Sequence, residues 1–143
     1  MSEFSKQAVV RHRDEIPPID CPFGHVQRIV TVGDGGISNV HVVTITKGTP
    51  HLHHGYDEVY YILSGSGTIT LGQDVHPLRP GSVAVIPAGV LHSLEAEQGQ
   101  ELEFVIFGTP PMAMDDGWAR PKNPWTFGLS IIEPPHARTP IVR

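Results

Sequence analysis

The stretch that decides the fold is His51-Leu52-His53-His54-Gly55-Tyr56-Asp57-Glu58, residues 51–58. Side chains alternate along an extended segment, so His51 and His53 are expected to point the same way. Four residues then precede Glu58, enough for a tight turn or bulge that returns its carboxylate to the same face. A third imidazole, His92, follows later in the chain. Three imidazoles and one carboxylate that converge on one point indicate a site for a borderline transition metal.

Apolar segments frame these four residues. Val59–Leu63 follows Glu58 and ends at a glycine turn, which predicts a strand. Val83–Ile86 begins after Gly81 and ends at the sequence Pro87-Ala88-Gly89, directly before His92. The four candidate ligands are therefore expected at the ends of strands, which are rigid supports.

These residues resemble the two sequence motifs of the cupin superfamily, in particular those of small single-domain metal-binding cupins of the cupin 2 type. The first motif, G-x5-H-x-H-x3,4-E-x6-G, and the second, G-x5-P-x-G-x2-H-x3-N, are matched at eight positions: His51, His53, Glu58, Gly65, Gly81, Pro87, Gly89 and His92. Ile45 stands in place of the leading glycine and Ala96 in place of the final asparagine. Neither of these is a metal ligand in the family pattern.

The resemblance implies an all-β, single-domain fold, the cupin jelly-roll sandwich or barrel. It also implies that His51, His53, Glu58 and His92 bind one divalent transition metal ion, Zn, Fe, Mn or Ni. Small cupins usually pair through a sheet edge, so a homodimer is expected. The resemblance says little about the reaction, because one scaffold hosts many chemistries.

Composition sets independent bounds. The 143 residues include 15 Gly and 14 Pro, which is typical of many short strands joined by turns. The net charge of −5, with no basic cluster, argues against nucleic acid or an anionic membrane as partner. The single Cys21 excludes an intrachain disulfide, and the first residues do not resemble a signal peptide. We therefore expect a cytoplasmic protein.

Strand and turn signals divide the chain into three parts. Residues 1–25, rich in charge and proline, are expected to form an arm, and residues 26–110 the barrel. Residues 111–143 contain prolines and two tryptophans and are expected to form a tail that packs on the barrel or on a partner subunit.

Other polar side chains leave alternatives open. His54 has the opposite strand parity to its neighbours, which predicts a solvated position unless the strand bulges. His41 would join the metal site only if it points inward, and Glu58 would then be released for proton transfer. Glu58 and Tyr60 are the candidate catalytic residues, the first as proton acceptor and the second as an inward phenol that acts as an acid or orients substrate.

Three functions remain possible from the sequence. The first is a metal-dependent enzyme acting on a small organic substrate, with isomerase, cyclase, lyase or dioxygenase chemistry. The second is a non-catalytic module that binds a sugar or another metabolite, and the third is a structural metal-bound barrel. Few basic residues are available near the site, which favours an apolar or aromatic substrate over a sugar phosphate.

Overall fold

The computed structural model describes residues 7–21 and 23–112, and the backbone of residues 130–131. Within these ranges the chain forms strands and two short 3-10 turns, at Arg13–Glu15 and Val32–Asp34, and no α-helix. The strands, in chain order, are β1 Ile19–Cys21, β2 Gly24–Val30, β3 Asn39–Ile45, β4 His51–Leu52, β5 Asp57–Ser64, β6 Gly67–Leu71, β7 Asp74–Leu78, β8 Val83–Ile86, β9 His92–Ala96, β10 Leu102–Thr109 and β11 Ser130–Ile131.

These strands form two antiparallel sheets. One has six strands in the order β1-β2-β3-β10-β5-β8, and the other has five in the order β11-β4-β9-β6-β7. Consecutive strands such as β8 and β9 lie in different sheets, so the chain crosses repeatedly between layers, as it does in a jelly roll. The expected all-β sandwich in a single domain is confirmed.

Alternation along the strands explains where the core lies. In β3 the inward residues His41, Val43 and Ile45 are buried, as their shared parity predicts. Ile62 of β5 and Leu102 of β10 are 1% and 0% exposed and belong to the same apolar cluster. The core therefore fills the space between the sheets.

The boundaries predicted for the arm, the barrel and the tail do not coincide with the boundaries of the strands. Ile19–Cys21, inside the predicted arm, forms an edge strand on β2, and β2 itself begins at Gly24 rather than at Val26. β2 ends at Val30, because Thr31 and Asp34 form a reciprocal cap on the 3-10 turn that follows. The predicted tail lies mostly outside the described residues. Its Ser130–Ile131 pairs with β4.

Candidate metal centre and pocket

The pairing of β4 with β9 brings two of the candidate ligands together. His51 and His92 are directly opposite each other in this antiparallel pair, and their ring centroids are 4.3 Å apart. β4 ends at Leu52, so His53 follows it in the turn that leads to β5, and its ring centroid is 5.2 Å from that of His92. The three imidazoles each offer a ligand atom within 4.8 Å of the others, and within the described ranges no other such group occurs.

Each of these imidazoles is oriented by a contact at Nδ1, the ring nitrogen on the side away from Nε2. His51 Nδ1 lies 2.8 Å from the carbonyl oxygen of Thr49, and His92 Nδ1 lies 2.9 Å from that of Val90. A carbonyl oxygen only accepts, so each Nδ1 carries the proton and each Nε2 keeps its lone pair. His53 Nδ1 is 3.0 Å from the hydroxyl of Tyr56. Outer hydrogen bonds of this kind are typical of imidazoles that bind a metal.

Glu58, near the start of β5, is not a member of this group of three but lies beside two of its imidazoles. Its side chain is buried, and Oε1 lies 2.9 Å from His53 Nε2 and 3.4 Å from His92 Nε2. The contact between His53 Nε2 and Glu58 Oε1 is short, but it does not have the alignment of a good hydrogen bond. Ligand atoms about 2.1 Å from a metal and 90–109° apart are about 3.0–3.4 Å from each other. The three imidazoles, with a carboxylate 2.9 and 3.4 Å from two of them, are a donor set that fits a divalent metal.

Burial and mutual contacts set the charges in the centre. Burial lowers the pKa of His51 to about 3, and repulsion from the other two imidazoles acts in the same direction. Burial alone would raise the pKa of Glu58, but interactions with His53 and His92 more than offset it and leave the pKa below its ordinary value. At neutral pH the centre therefore contains a neutral His51 and a carboxylate, which is the protonation state that metal binding requires.

Tyr60 lies next to this carboxylate. It is 2% exposed, and its hydroxyl donates a 2.8 Å hydrogen bond to Glu58 Oε1 and lies 3.2 Å from His92 Nε2. Burial, followed by the negative charge of Glu58, raises its pKa well above the ordinary value. The phenol is consequently a neutral proton donor beside the candidate ligands.

The centre lies at one side of a pocket between the sheets. The pocket leaves about 70 Å³ for the centres of water-sized molecules, several times the roughly 10–15 Å³ that one water needs. No lysine or arginine is among its described lining residues. Most of its wall is apolar and comes from both sheets, with Val26, Val43, Ile45, Leu94, Phe104 and Ile106. This space suits a small organic molecule.

The remaining polar residues considered from the sequence lie outside the group of three imidazoles. His54 is exposed, as its parity predicts, and Tyr61 is 44% exposed. His41 points inward and lines the pocket but is outside the group of three imidazoles. Cys21 and Met112 also line the pocket and were not recognised from the sequence. Because they lie far from both motifs, only the closed fold brings them there.

Comparison with known proteins relates part of the chain to a protein family. Residues 40–108 match the family model described as a cupin domain. An L-ectoine synthase of Vibrio campbellii is 29% identical over 75 residues, which are 50% of this chain and 59% of that protein. An oxalate-binding protein of Thermotoga maritima is 41% identical over 56 residues, or 38% of this chain and 46% of that protein. The chain spans about half the length of the curated relatives it matches.

The fold likeness extends further along the chain than the sequence likeness. The crystal structure of ectoine synthase from P. lautus superposes with a TM-score of 0.67 at 23% identity, covering 73% of this chain and 80% of that one. The described residues contain no helix with the length and hydropathy needed to cross a membrane. The family match and the shared two-sheet fold together identify residues 40–108 as a cupin domain.

Proposed function

We propose that this cupin is a metal-dependent enzyme that acts on a small organic substrate, apolar or aromatic in character. The observation that carries the proposal is the cluster of three imidazoles, with ligand atoms within 4.8 Å of one another, beside the buried Glu58 and at the wall of an apolar pocket. Imidazole lone pairs gathered in a buried site are costly to folding when they are not used, and a bound metal would use them.

His51, His53, His92 and Glu58 would hold the metal, which is one of Zn, Fe, Mn or Ni. When bound, such an ion supplies Lewis acidity to a substrate oxygen. Glu58 is a buried carboxylate whose contacts with His53 and His92 hold its pKa below the ordinary value, so it would accept a proton only after it leaves those contacts. Tyr60 donates a 2.8 Å hydrogen bond to Glu58 Oε1, and its raised pKa keeps the phenol protonated, so its role would be to orient the carboxylate or the substrate.

The alternative is a metal-containing protein that binds a metabolite without changing it. One relative is named an oxalate-binding protein and another an L-ectoine synthase, so the similarity includes a binding protein and an enzyme. The apolar wall and the absence of cationic lining residues in the described part of the pocket favour an uncharged organic molecule over a dianion. Turnover of any metabolite by the purified protein would decide between the two functions.

Elemental analysis of protein purified without added metal tests the metal centre. His92→Ala removes a ligand held by the Val90 carbonyl and is expected to lose most of the bound metal. His54→Ala alters an exposed imidazole and is expected to keep the wild-type content. Full metal content in His92→Ala, or loss of metal from His54→Ala, would contradict the assignment.

Oxygen consumption distinguishes the chemical classes. Iron in the protein together with O₂ uptake in the presence of a metabolite would indicate a dioxygenase. Zinc with substrate turnover and no O₂ uptake would indicate isomerase, cyclase or lyase chemistry with the metal as Lewis acid. Metal without turnover of any compound in a broad panel would favour the binding function.

We also propose a homodimer formed through the outer face of the six-stranded sheet. This face carries exposed apolar side chains on neighbouring strands, with Val85 at 62%, Val83 at 58% and Tyr61 at 44% exposure, next to β8, which is an edge strand among the described residues. Open edges and contiguous apolar surface favour association. Val85→Lys is expected to give a monomer in light scattering, whereas Val75→Lys, at an equally exposed position on β7, is expected to remain dimeric.

A further inference from the structure

One buried imidazole in the pocket is not one of the candidate metal ligands. His41 is 2% exposed and lines the same pocket as Glu58 and Tyr60. Its Nε2 is buried and has no hydrogen-bond partner. Most buried polar groups in proteins are hydrogen-bonded, so an unpartnered nitrogen in a residue that lines a pocket indicates a group that a ligand can complete.

Strand register places His41 relative to the metal centre. His41 of β3 is opposite Ile106 of β10, which in turn is opposite Tyr60 of β5. Residues paired in this way share a face of the sheet, and strands lie about 4.8 Å apart, so the Cα atoms of His41 and Tyr60 are about 10 Å apart. The apolar side chain of Ile106 lies between them. The pocket wall therefore carries polar groups at two places, the candidate metal centre and His41, with apolar side chains between them.

The charge of His41 restricts what can bind there. Burial, followed by the positive charge of Arg28 on the neighbouring strand, lowers the pKa of His41 to about 4. The ring is thus neutral at pH 7, with one nitrogen that donates and one that accepts. The described lining contains no lysine or arginine, and it does contain the carboxylate of Glu58.

We propose that His41 is a substrate-binding residue that hydrogen-bonds an uncharged hydroxyl or carbonyl group at the end of the substrate remote from the metal centre. This rests on the proposed function and narrows its substrate class. The substrate has a metal-binding oxygen at one end, an apolar or aromatic body, and a neutral polar group at the other end. The body packs against Ile106 and the other apolar wall residues.

A matched pair of probes tests the role of His41 without knowledge of the substrate. Toluene and 4-methylphenol share the apolar body and differ in one hydroxyl group. Their dissociation constants are measured by NMR titration of the full-length protein with ¹⁵N-labelled histidine, as purified and again after chelation of metal. Wild type is expected to prefer 4-methylphenol by about threefold to tenfold, the range of one neutral hydrogen bond, and the ¹⁵N resonances of His41 are expected to shift only with the phenol.

Two variants separate hydrogen bonding from shape. His41→Phe keeps a ring of similar size and is expected to lose the preference for 4-methylphenol, with toluene affinity changed by less than about twofold. His41→Gln keeps a hydrogen-bonding group and is expected to retain a preference. No preference in wild type, no binding of either probe, or an unchanged preference in His41→Phe would overturn the inference.

Charged probes test the substrate class. Binding of 4-methylbenzoate or 4-methylbenzylamine is expected to be weaker than that of 4-methylphenol, and tighter binding of either would overturn the assignment of an uncharged group. Failure of the proposed function has a separate signature. Absence of metal on elemental analysis would reject the metal-dependent function while leaving the phenol preference in place, whereas loss of the preference in metal-containing protein would reject only the role of His41.

Discussion

Removing the hydroxyl of Tyr60 isolates one hydrogen bond in the candidate centre. In Tyr60→Phe the ring remains, including its contact with Phe104 at 5.0 Å between centroids. The variant deletes the 2.8 Å hydrogen bond to Glu58 Oε1, a carboxylate that is 1% exposed and cannot take a water in exchange without rearrangement. The effect on stability should therefore come from the hydrogen bond and not from packing.

The magnitude follows from the charge of the acceptor. Hydrogen bonds to charged groups contribute about 1.5–3 kcal/mol, so we expect Tyr60→Phe to lower the free energy of unfolding by about 2 kcal/mol. For a chain of this size that corresponds to a fall in Tm of about 4–8 °C. The matched control is Tyr61→Phe, the adjacent tyrosine with 44% exposure, which should change the free energy of unfolding by less than about 0.5 kcal/mol.

The measurement is urea unfolding followed by far-UV circular dichroism at pH 7. A chelator is included so that no metal ion shares the charge of Glu58. Linear extrapolation gives the free energy of unfolding of wild type and both variants. If the two variants are equally stable, the hydrogen bond from Tyr60 does not stabilise Glu58, and the proposed role of Tyr60 in orienting the carboxylate is wrong.

Two further predictions concern the scaffold. Gly65 has φ +87°, and a methyl group there would overlap the backbone of Glu101. Gly65→Ala should therefore lower the free energy of unfolding clearly more than Gly72→Ala, where φ is +63° and the space is open. Equal losses in urea unfolding would reject the steric explanation. Hydrogen bonds from Arg11 and from the Thr31 amide lower the pKa of Asp34 in the folded protein. The ionised Asp34 therefore contributes its full stabilisation above the unfolded-state pKa of about 3.9, and this stabilisation disappears as the pH falls through the lower folded-state pKa. Asp34→Asn should therefore lower stability by about 1 kcal/mol at pH 7 and leave it nearly unchanged near the acid limit, and a difference independent of pH would contradict this.

The sequence predicts the architecture well because the signals are local. Strand parity predicts that His41, Val43 and Ile45 share a face of β3, although not that this face is inward, and the glycine turns predict where the strands end. The boundaries of β2 are less accurate, since they depend on the cap formed by Thr31 and on pairing with β1, and neither is visible in an apolar pattern.

The candidate site is only partly predictable, because it too depends on strand pairing and turns that an apolar pattern does not show. Spacing alone indicates His51 and His53 as a pair, but β4 ends between them, and the turn that follows brings His53 to the centre. The side-by-side position of His51 and His92 depends on strand pairing across 41 positions. Tyr60 was one of three similar tyrosines in the sequence, and only its inward position beside Glu58 distinguishes it.

The pairing of β11 with β4 links the C-terminal segment to the metal centre. Ile131 is the register partner of His51, and on its other side His51 is the register partner of His92. β4, which begins with the candidate ligand His51, thus lies between β9 and β11 in the sheet, and β11 is distant in sequence. If the docking of β11 holds His51 in position, then this docking and the binding of a ligand through His51 favour each other equally. Hydrogen exchange at the backbone amides of β11 would then report on occupancy of the candidate centre.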